Sequence, residues 1–314
     1  RNLLSSNIEF ISGPGCPVCV SDESYIDSCI SLLENPDVII ATFGDMLRVK
    51  GSKKSLQDIK SEGRRIKVIY CPEEVIALAK ENITKDIIFA SVGFETTAPT
   101  IALVIKMAKS MNIRNLFFLT SLKRMEPIIN LIMNHPNVKV DGVICPGHVA
   151  VITGVSPFVD ITYKYGIPAV ISGFEAMDIL EGVYILVKQI KGYNPTQFIN
   201  NYSRYVNEKG NQKAIEVINQ VFQVSNAVWR GIGTISDSGL VLKKEYKQWD
   251  ATQKWNINKV GDRVKVDCQC TEILMGIKTP NECIKFGTSC TPNHPLGPCM
   301  ISGEGTCAAY YYYR

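Results

Sequence analysis

Four cysteines near the C-terminus, Cys283, Cys290, Cys299 and Cys307, are separated by six, eight and seven residues. Four thiolates in one segment can enclose either a zinc ion or a four-iron cube. Structural zinc sites draw their ligands from tight C-x2-4-C knuckles, which are absent here. The glycines and prolines between these cysteines suit a loop wrapped around a bulkier group, so the spacing favours a cluster over zinc. Cys268-Gln269-Cys270 precedes them. Its two thiols read as too close for separate corners of one relaxed site, and the expectation leaves both outside the ligand set. His294, in a Pro-Asn-His-Pro turn, reads as a surface residue.

A second centre lies at the other end of the chain. Gly13-Pro-Gly-Cys-Pro-Val-Cys19 sets two thiols two residues apart, after an apolar run and before a segment that reads as helical. A helix N-terminus lowers a thiol pKa, and this spacing lets the sulfurs close a disulfide. Cys16 and Cys19 are therefore read as a dithiol/disulfide centre, with half a zinc site or two buried structural cysteines as the alternatives.

The elements that must carry these residues alternate. Short apolar runs at 38–43, 66–70, 87–92, 116–119, 143–144 and 169–171 are each followed by a helical pattern. Continuous apolar strands between helices predict parallel sheets covered on both faces. Thr96 or Thr97 is a candidate cap for the helix after the third run, with Pro99 in its first turn. Gly93-Phe94-Glu95 and Gly173-Phe174-Glu175 each close a strand, as do Cys71-Pro72 and Cys145-Pro146. Matched strand ends in the same order suggest a duplicated α/β unit. The expected fold is α/β, two Rossmann-like parallel-sheet domains over 1–113 and 114–235, with a mainly irregular or helical iron-sulfur domain over 236–314. Helical patterns are expected at 198–206 and 214–224. The last segment holds six of the eleven cysteines and too few apolar runs for a core of its own, so it needs a metal group to hold its loops.

In such a sheet, ligands bind where strand C-termini meet helix N-termini. Those edges carry Cys16, Cys19, Thr42, Asp45, Cys71, Glu95, Cys145, His148 and Glu175. Glu95 and His148, in different halves of the duplication, are assigned to a shared interdomain cleft with a role in the chemistry. Helix capping, packing and hydrogen bonding are the structural alternatives for these residues.

Bulk properties exclude several classes. Hydrophobic residues make up 46% and charged residues 20%, a globular composition. The net charge of +4 is spread over scattered basic clusters without interleaved aromatics, which argues against nucleic-acid binding. No apolar run approaches the ~18 residues of a bilayer span and the N-terminus is not a signal peptide, so a cytoplasmic protein with no membrane contact is expected. Walker A, G-x-G-x-x-G and H-E-x-x-H patterns are missing.

Taken together, Gly13–Cys19, Gly93-Phe-Glu-Thr-Thr-Ala-Pro99, Cys145-Pro-Gly-His-Val-Ala-Val-Ile-Thr-Gly154, Ile171-Ser-Gly-Phe-Glu175 and the tail from Cys283 resemble the HypD family, iron-sulfur maturation proteins of [NiFe] hydrogenases. The resemblance implies an accessory protein that, with a HypC-like chaperone and a HypE-like cyanide donor, carries iron while the Fe(CN)2CO group is assembled. It implies two Rossmann-like domains and a [4Fe-4S] cluster, with Cys283, Cys290, Cys299 and Cys307 on the ligand positions and Cys16 with Cys19 on the redox pair. Family members also carry a Cys-Gly-x-His-Thr motif upstream. This chain opens at Arg1 without it and reads as N-terminally truncated. A cluster-dependent thiol-disulfide reductase and a zinc-stabilised binding module are the competing functions.

Overall fold

The structure, a computed structural model, describes residues 4–5, 7–257 and 268–313. Among these residues nine strands fall in chain order as β1 (Val38–Phe43), β2 (Ile66–Ile69), β3 (Asp86–Gly93), β4 (Leu116–Lys123), β5 (Val143–Pro146), β6 (Ala169–Ser172), β7 (Phe198–Asn200), β8 (Phe222–Trp229) and β9 (Gly233–Leu242). They form a six-stranded sheet, β2-β1-β3-β4-β9-β8, and a three-stranded sheet, β5-β6-β7. Strands β1 to β4 run parallel, as do β5 to β7, whereas β9 is antiparallel to β4 and β8. The mixed α/β class, with one sheet mainly and one wholly parallel, agrees with the alternation in the sequence.

Strand β3 is apolar nearly throughout because both of its faces are covered. One face takes the helix Ala98–Ser110, whose Ile101, Ala102, Val104, Ile105 and Ala108 recur at helical spacing and are all buried. Thr97 occupies the N-cap position of that helix, but its side chain makes no capping bond. It packs on Gly93 instead, where an added Cβ would stand 2.6 Å from the Thr97 Cβ. The other face takes the helix Glu23–Leu32, and Tyr25 donates its hydroxyl to the carbonyls of Leu119 at 2.9 Å and Ser91 at 3.2 Å.

The sheets divide the chain elsewhere than at Ile113. Strand β4 pairs with β3 from Ile87↔Leu116 to Gly93↔Leu122, so the first sheet continues past that point. The hairpin β8–β9 later returns to the same sheet, and the three-stranded unit is in effect inserted between β4 and β8. The segment expected to be helical over 198–206 is β7 followed by turns, and the pattern over 214–224 is the helix Gln212–Val221 running straight into β8. Order also persists past Ser236, where β9 runs on to Leu242.

Among its described residues the cysteine-rich segment has no separate core. Ile273, Leu274, Met275, Cys299, Met300, Ile301 and Cys307 join one cluster with Cys16, Cys19 and Ile26 of the N-terminal segment and with Cys145 and Ile171 of the second sheet. This junction holds both cysteine centres.

Candidate functional site

Cys16 and Cys19 lie in a turn that ends before the helix Glu23–Leu32. Asp22 caps that helix by accepting from the Ser24 N–H at 3.0 Å. The thiols thus stand ahead of the cap, beyond the first turn over which a helix dipole acts, so the dipole expected to activate them does not explain their state. Hydrogen bonding does. The Cys19 thiol, and its N–H at 3.3 Å, hold Cys16 below the ordinary thiol range, and Ser302 adds to this while burial opposes it. The same contact with Cys16 pushes Cys19 well up, and burial adds to the rise. Cys19 donates its S–H to the Pro298 carbonyl at 3.6 Å.

Cys299 sits in the 3-10 turn Pro298–Met300, fully buried. Its thiol meets Cys19 on one side and Cys270 on the other. Cys270 in turn lies 2.6 Å, sulfur to sulfur, from Cys268. The thiols of residues 16, 19, 299, 270 and 268 are therefore neighbours in turn.

That line ends at a pocket lined by Cys268, Cys270, Cys283, Cys290 and Cys307 together with Ile273, Lys285, Phe286, Leu296, Gly297 and Met300. Its cavity volume is about 10 Å³. Three of the four thiols expected to act together, Cys283, Cys290 and Cys307, are brought together here; Cys299 is not among the lining residues. Cys268 stands in its stead. Burial pushes Cys307 up to about 12, and Cys268, Cys290 and Cys283 are near enough to raise it further by like charge. The Cys-x-Cys pair fits because Gly297 faces it bare, since a Cβ there would stand 2.8 Å from the Cys268 sulfur and closer still to that of Cys270.

Among the described residues no three His, Cys, Asp or Glu side chains converge as the ligands of a single metal ion do. The thiols surround a space rather than a point. An all-sulfur donor set on apolar walls with one lysine suits a thiolate-ligated cluster, so the residues present fit the group.

The strand-edge residues separate. Glu95 is buried, its Oε1 accepts from the N–H of Met125, the first residue of the helix Met125–Met133, at 2.9 Å, and its Oε2 has no partner. Burial raises its pKa to about 7. His148 is exposed and stacks on Phe174 with ring centroids 4.2 Å apart. Glu95 is thus turned inward against a helix start and His148 outward to solvent. Glu175 is exposed and makes no side-chain cap, at 4.0 Å from Arg204. Thr42 donates to the Ala90 carbonyl at 3.0 Å, a bond within the sheet. Cys71 is exposed against Glu73, which raises its pKa, and Cys145 is buried on β5, where desolvation raises it. Asp45, exposed, accepts from Ser302 at 3.0 Å.

Comparison with known proteins decides the family. The hydrogenase formation hypA family (HypD) matches over residues 1–314. A hydrogenase maturation factor HypD of Rhodobacter capsulatus is 39% identical over 99% of this chain and 84% of its own length. One of Escherichia coli is 37% identical over the same shares, and a hydrogenase expression/formation protein HupD of Azotobacter chroococcum is 36% identical, again over 99% and 84%. The chain belongs to the HypD family. It is a hydrogenase maturation factor by that membership, and among its described residues no helix is long and apolar enough to cross a membrane. What the sequence reading of this HypD chain missed is the place of Cys268 and Cys270 in the lining of this pocket. The Cys-x-Cys spacing was the available signal.

Proposed function

We propose that this HypD-family chain is a redox-active scaffold on which the Fe(CN)2CO group of [NiFe] hydrogenases is assembled, working in the cytoplasm with a HypC-like chaperone and a HypE-like cyanide donor. The single observation that carries the redox part is the line of thiols from Cys16 to the five-cysteine pocket. Cys268, Cys283, Cys290 and Cys307 would hold a [4Fe-4S] cluster there. Such a cluster, when bound, supplies electrons one at a time. Cys270 and Cys299 stand between that pocket and the Cys16–Cys19 pair, and thiolate attack along adjoining sulfurs moves a disulfide from one pair to the next. The iron under assembly is the cargo, and a reduced Cys16–Cys19 pair is the chain's contribution to its chemistry.

Burial weighs against the competing thiol-disulfide reductase. Cys16 is 3% and Cys19 0% exposed. A folded protein disulfide could not reach either sulfur. The test is complementation of a strain lacking its own HypD, with anaerobic iron and sulfide analysis of the purified chain and co-purification of a HypC-like partner. Hydrogenase activity should return with the wild type and not with Cys16→Ser or Cys19→Ser. Full activity from both variants would refute the redox role, and a colourless protein with stoichiometric zinc would refute the cluster.

A further inference from the structure

The wall of the five-cysteine pocket is sulfur or apolar except at one residue. Among the described residues that line it, Lys285 alone adds a charged side chain to the cysteines. Backbone bonds fix its place between two of the thiols. The Phe286 N–H donates to the Cys283 carbonyl at 2.9 Å, and the Cys290 N–H donates to the Lys285 carbonyl at 2.8 Å. Gly287, at a φ of +72°, closes the turn by donating its N–H to the Cys290 carbonyl at 3.0 Å. The Thr288 hydroxyl donates to the Lys285 carbonyl at 3.1 Å. Lys285 is half-buried, so water and salt screen its charge only in part. The acids nearest in sequence are placed elsewhere. Glu282 caps its own 3-10 turn, accepting from the Thr279 N–H at 2.7 Å and from the Thr279 hydroxyl at 3.0 Å, and Glu272 is not on the pocket wall. The lysine's charge also reaches across the pocket: contact with Cys270 and burial push the Cys268 thiol well up, and Lys285 works against them.

We propose that Lys285 sets the reduction potential of the group held in this pocket, raising it so that the reduced state is the better populated. The proposal rests on the reading of the pocket as a [4Fe-4S] site held by Cys268, Cys283, Cys290 and Cys307. Four thiolates give such a site a net negative charge, and reduction adds one electron to it without forming or breaking a bond. A fixed cation stabilises the reduced state more than the oxidised one, because its attraction grows with the negative charge it faces. The apolar wall residues Ile273, Phe286, Leu296 and Met300 act the other way, since added charge is disfavoured where nothing solvates it. Lys285 offsets them. Its effect is to bring the site within reach of weaker one-electron donors.

The test is an equilibrium redox titration of the anaerobically reconstituted full chain, with dithionite as reductant and mediator dyes, read by the electron paramagnetic resonance signal of the reduced state. Lys285→Met keeps an apolar stem on the wall and removes the charge. At the ambient potential where half of the wild type is reduced, its ratio of reduced to oxidised protein should be about tenfold lower, a midpoint about 59 mV lower for a one-electron couple. Lys285→Glu should fall further. Lys285→Arg should stay with the wild type, and so should Lys278→Met, whose lysine is off the pocket wall. The difference between wild type and Lys285→Met should also shrink at about 1 M salt, where charges are screened within about 3 Å. A change of packing alone would not respond to salt.

An unchanged midpoint in Lys285→Met would overturn the proposal, as would an equal fall in Lys285→Arg. Should Lys285→Met take up no iron, Lys285→Gln reads the same difference. Loss of iron from both, with Lys285→Arg loading in full, would make Lys285 a residue needed to build the site and would equally overturn its role in the potential. A wild type that takes up no iron would instead remove the cluster itself.

Discussion

Replacing Glu95 by glutamine removes a buried acid while keeping the oxygen that accepts from the Met125 N–H. In the folded chain burial raises this carboxyl to about 7, from the 4.5 of an unburied glutamate. A group raised on folding stabilises the chain most where it is protonated in both states. Its contribution is complete below about 4.5 and is lost as the pH climbs through 7. The interval is worth about 3 kcal/mol, or roughly 5 °C in melting temperature for a chain of this length. Glutamine does not titrate, and its amide nitrogen takes the place of the unpartnered Oε2. The melting temperature of Glu95→Gln minus that of the wild type should therefore rise by about 4 °C between pH 5 and pH 8. Differential scanning fluorimetry of both proteins across that range reads it directly. The same difference at both ends would refute the reasoning and mean that Glu95 reaches water.

Three further outcomes follow from the site and its frame. Cys268→Ala should lose most of the iron after anaerobic reconstitution while Cys299→Ala keeps it, as measured by iron and sulfide content; loading of the Cys268 variant at the wild-type level would restore Cys299 to the ligand set. Gly297→Ala, whose Cβ would press on the Cys268 and Cys270 sulfurs, should cut iron loading at least as far as Cys268→Ala, by the same assay. Arg230 and Glu23, paired at 2.9 Å with little exposure on either side, tie the β8–β9 turn to the helix after the Cys-x-x-Cys turn. Arg230→Met or Glu23→Gln alone should cost about 3–5 kcal/mol in denaturant unfolding, and the double variant much less than their sum.

The sheets were legible because parallel strands covered on both faces are continuous apolar runs, and β1, β3 and β6 read as nothing else. What hid the domain layout is that β4 carries the same kind of run whichever sheet it joins. Its pairing with β3 along nearly its whole length places it in the first sheet, and its end alone meets the hairpin β8–β9, at a range in sequence that leaves no local trace. β7 was mistaken for helix because a three-residue edge strand followed by turns is too short to show a period of two. In the site, the cysteines announced themselves by type and spacing. Which four face one pocket did not, because the Cys-x-Cys pair converges on a glycine almost thirty residues downstream, and Cys299 is turned away by the 3-10 turn that carries it.

The two Gly-Phe-Glu turns show how far a local motif reaches. Both follow a central strand, β3 between β1 and β4 and β6 between β5 and β7. Both need glycine for the same reason, the close approach of the next segment: Thr97 in the first, and Asp178 with Tyr202, whose ring carbon would stand 2.6 Å from an added Cβ, in the second. The backbone is shared, but the surroundings are not. In the first turn Phe94 is 5% exposed and stacks on Trp229 of β8, and Glu95 is sealed beneath the start of Met125–Met133. In the second, Phe174 is 61% exposed, its ring meets only the exposed imidazole of His148 among the described aromatic pairs, and Glu175 faces solvent. The difference is the hairpin: β8–β9 extends the first sheet and supplies Trp229, and among the described residues the three-stranded sheet has no such addition. A buried acid that titrates near neutrality and an exposed aromatic–imidazole pair thus come from one repeated triplet, and the residues that separate them lie outside it.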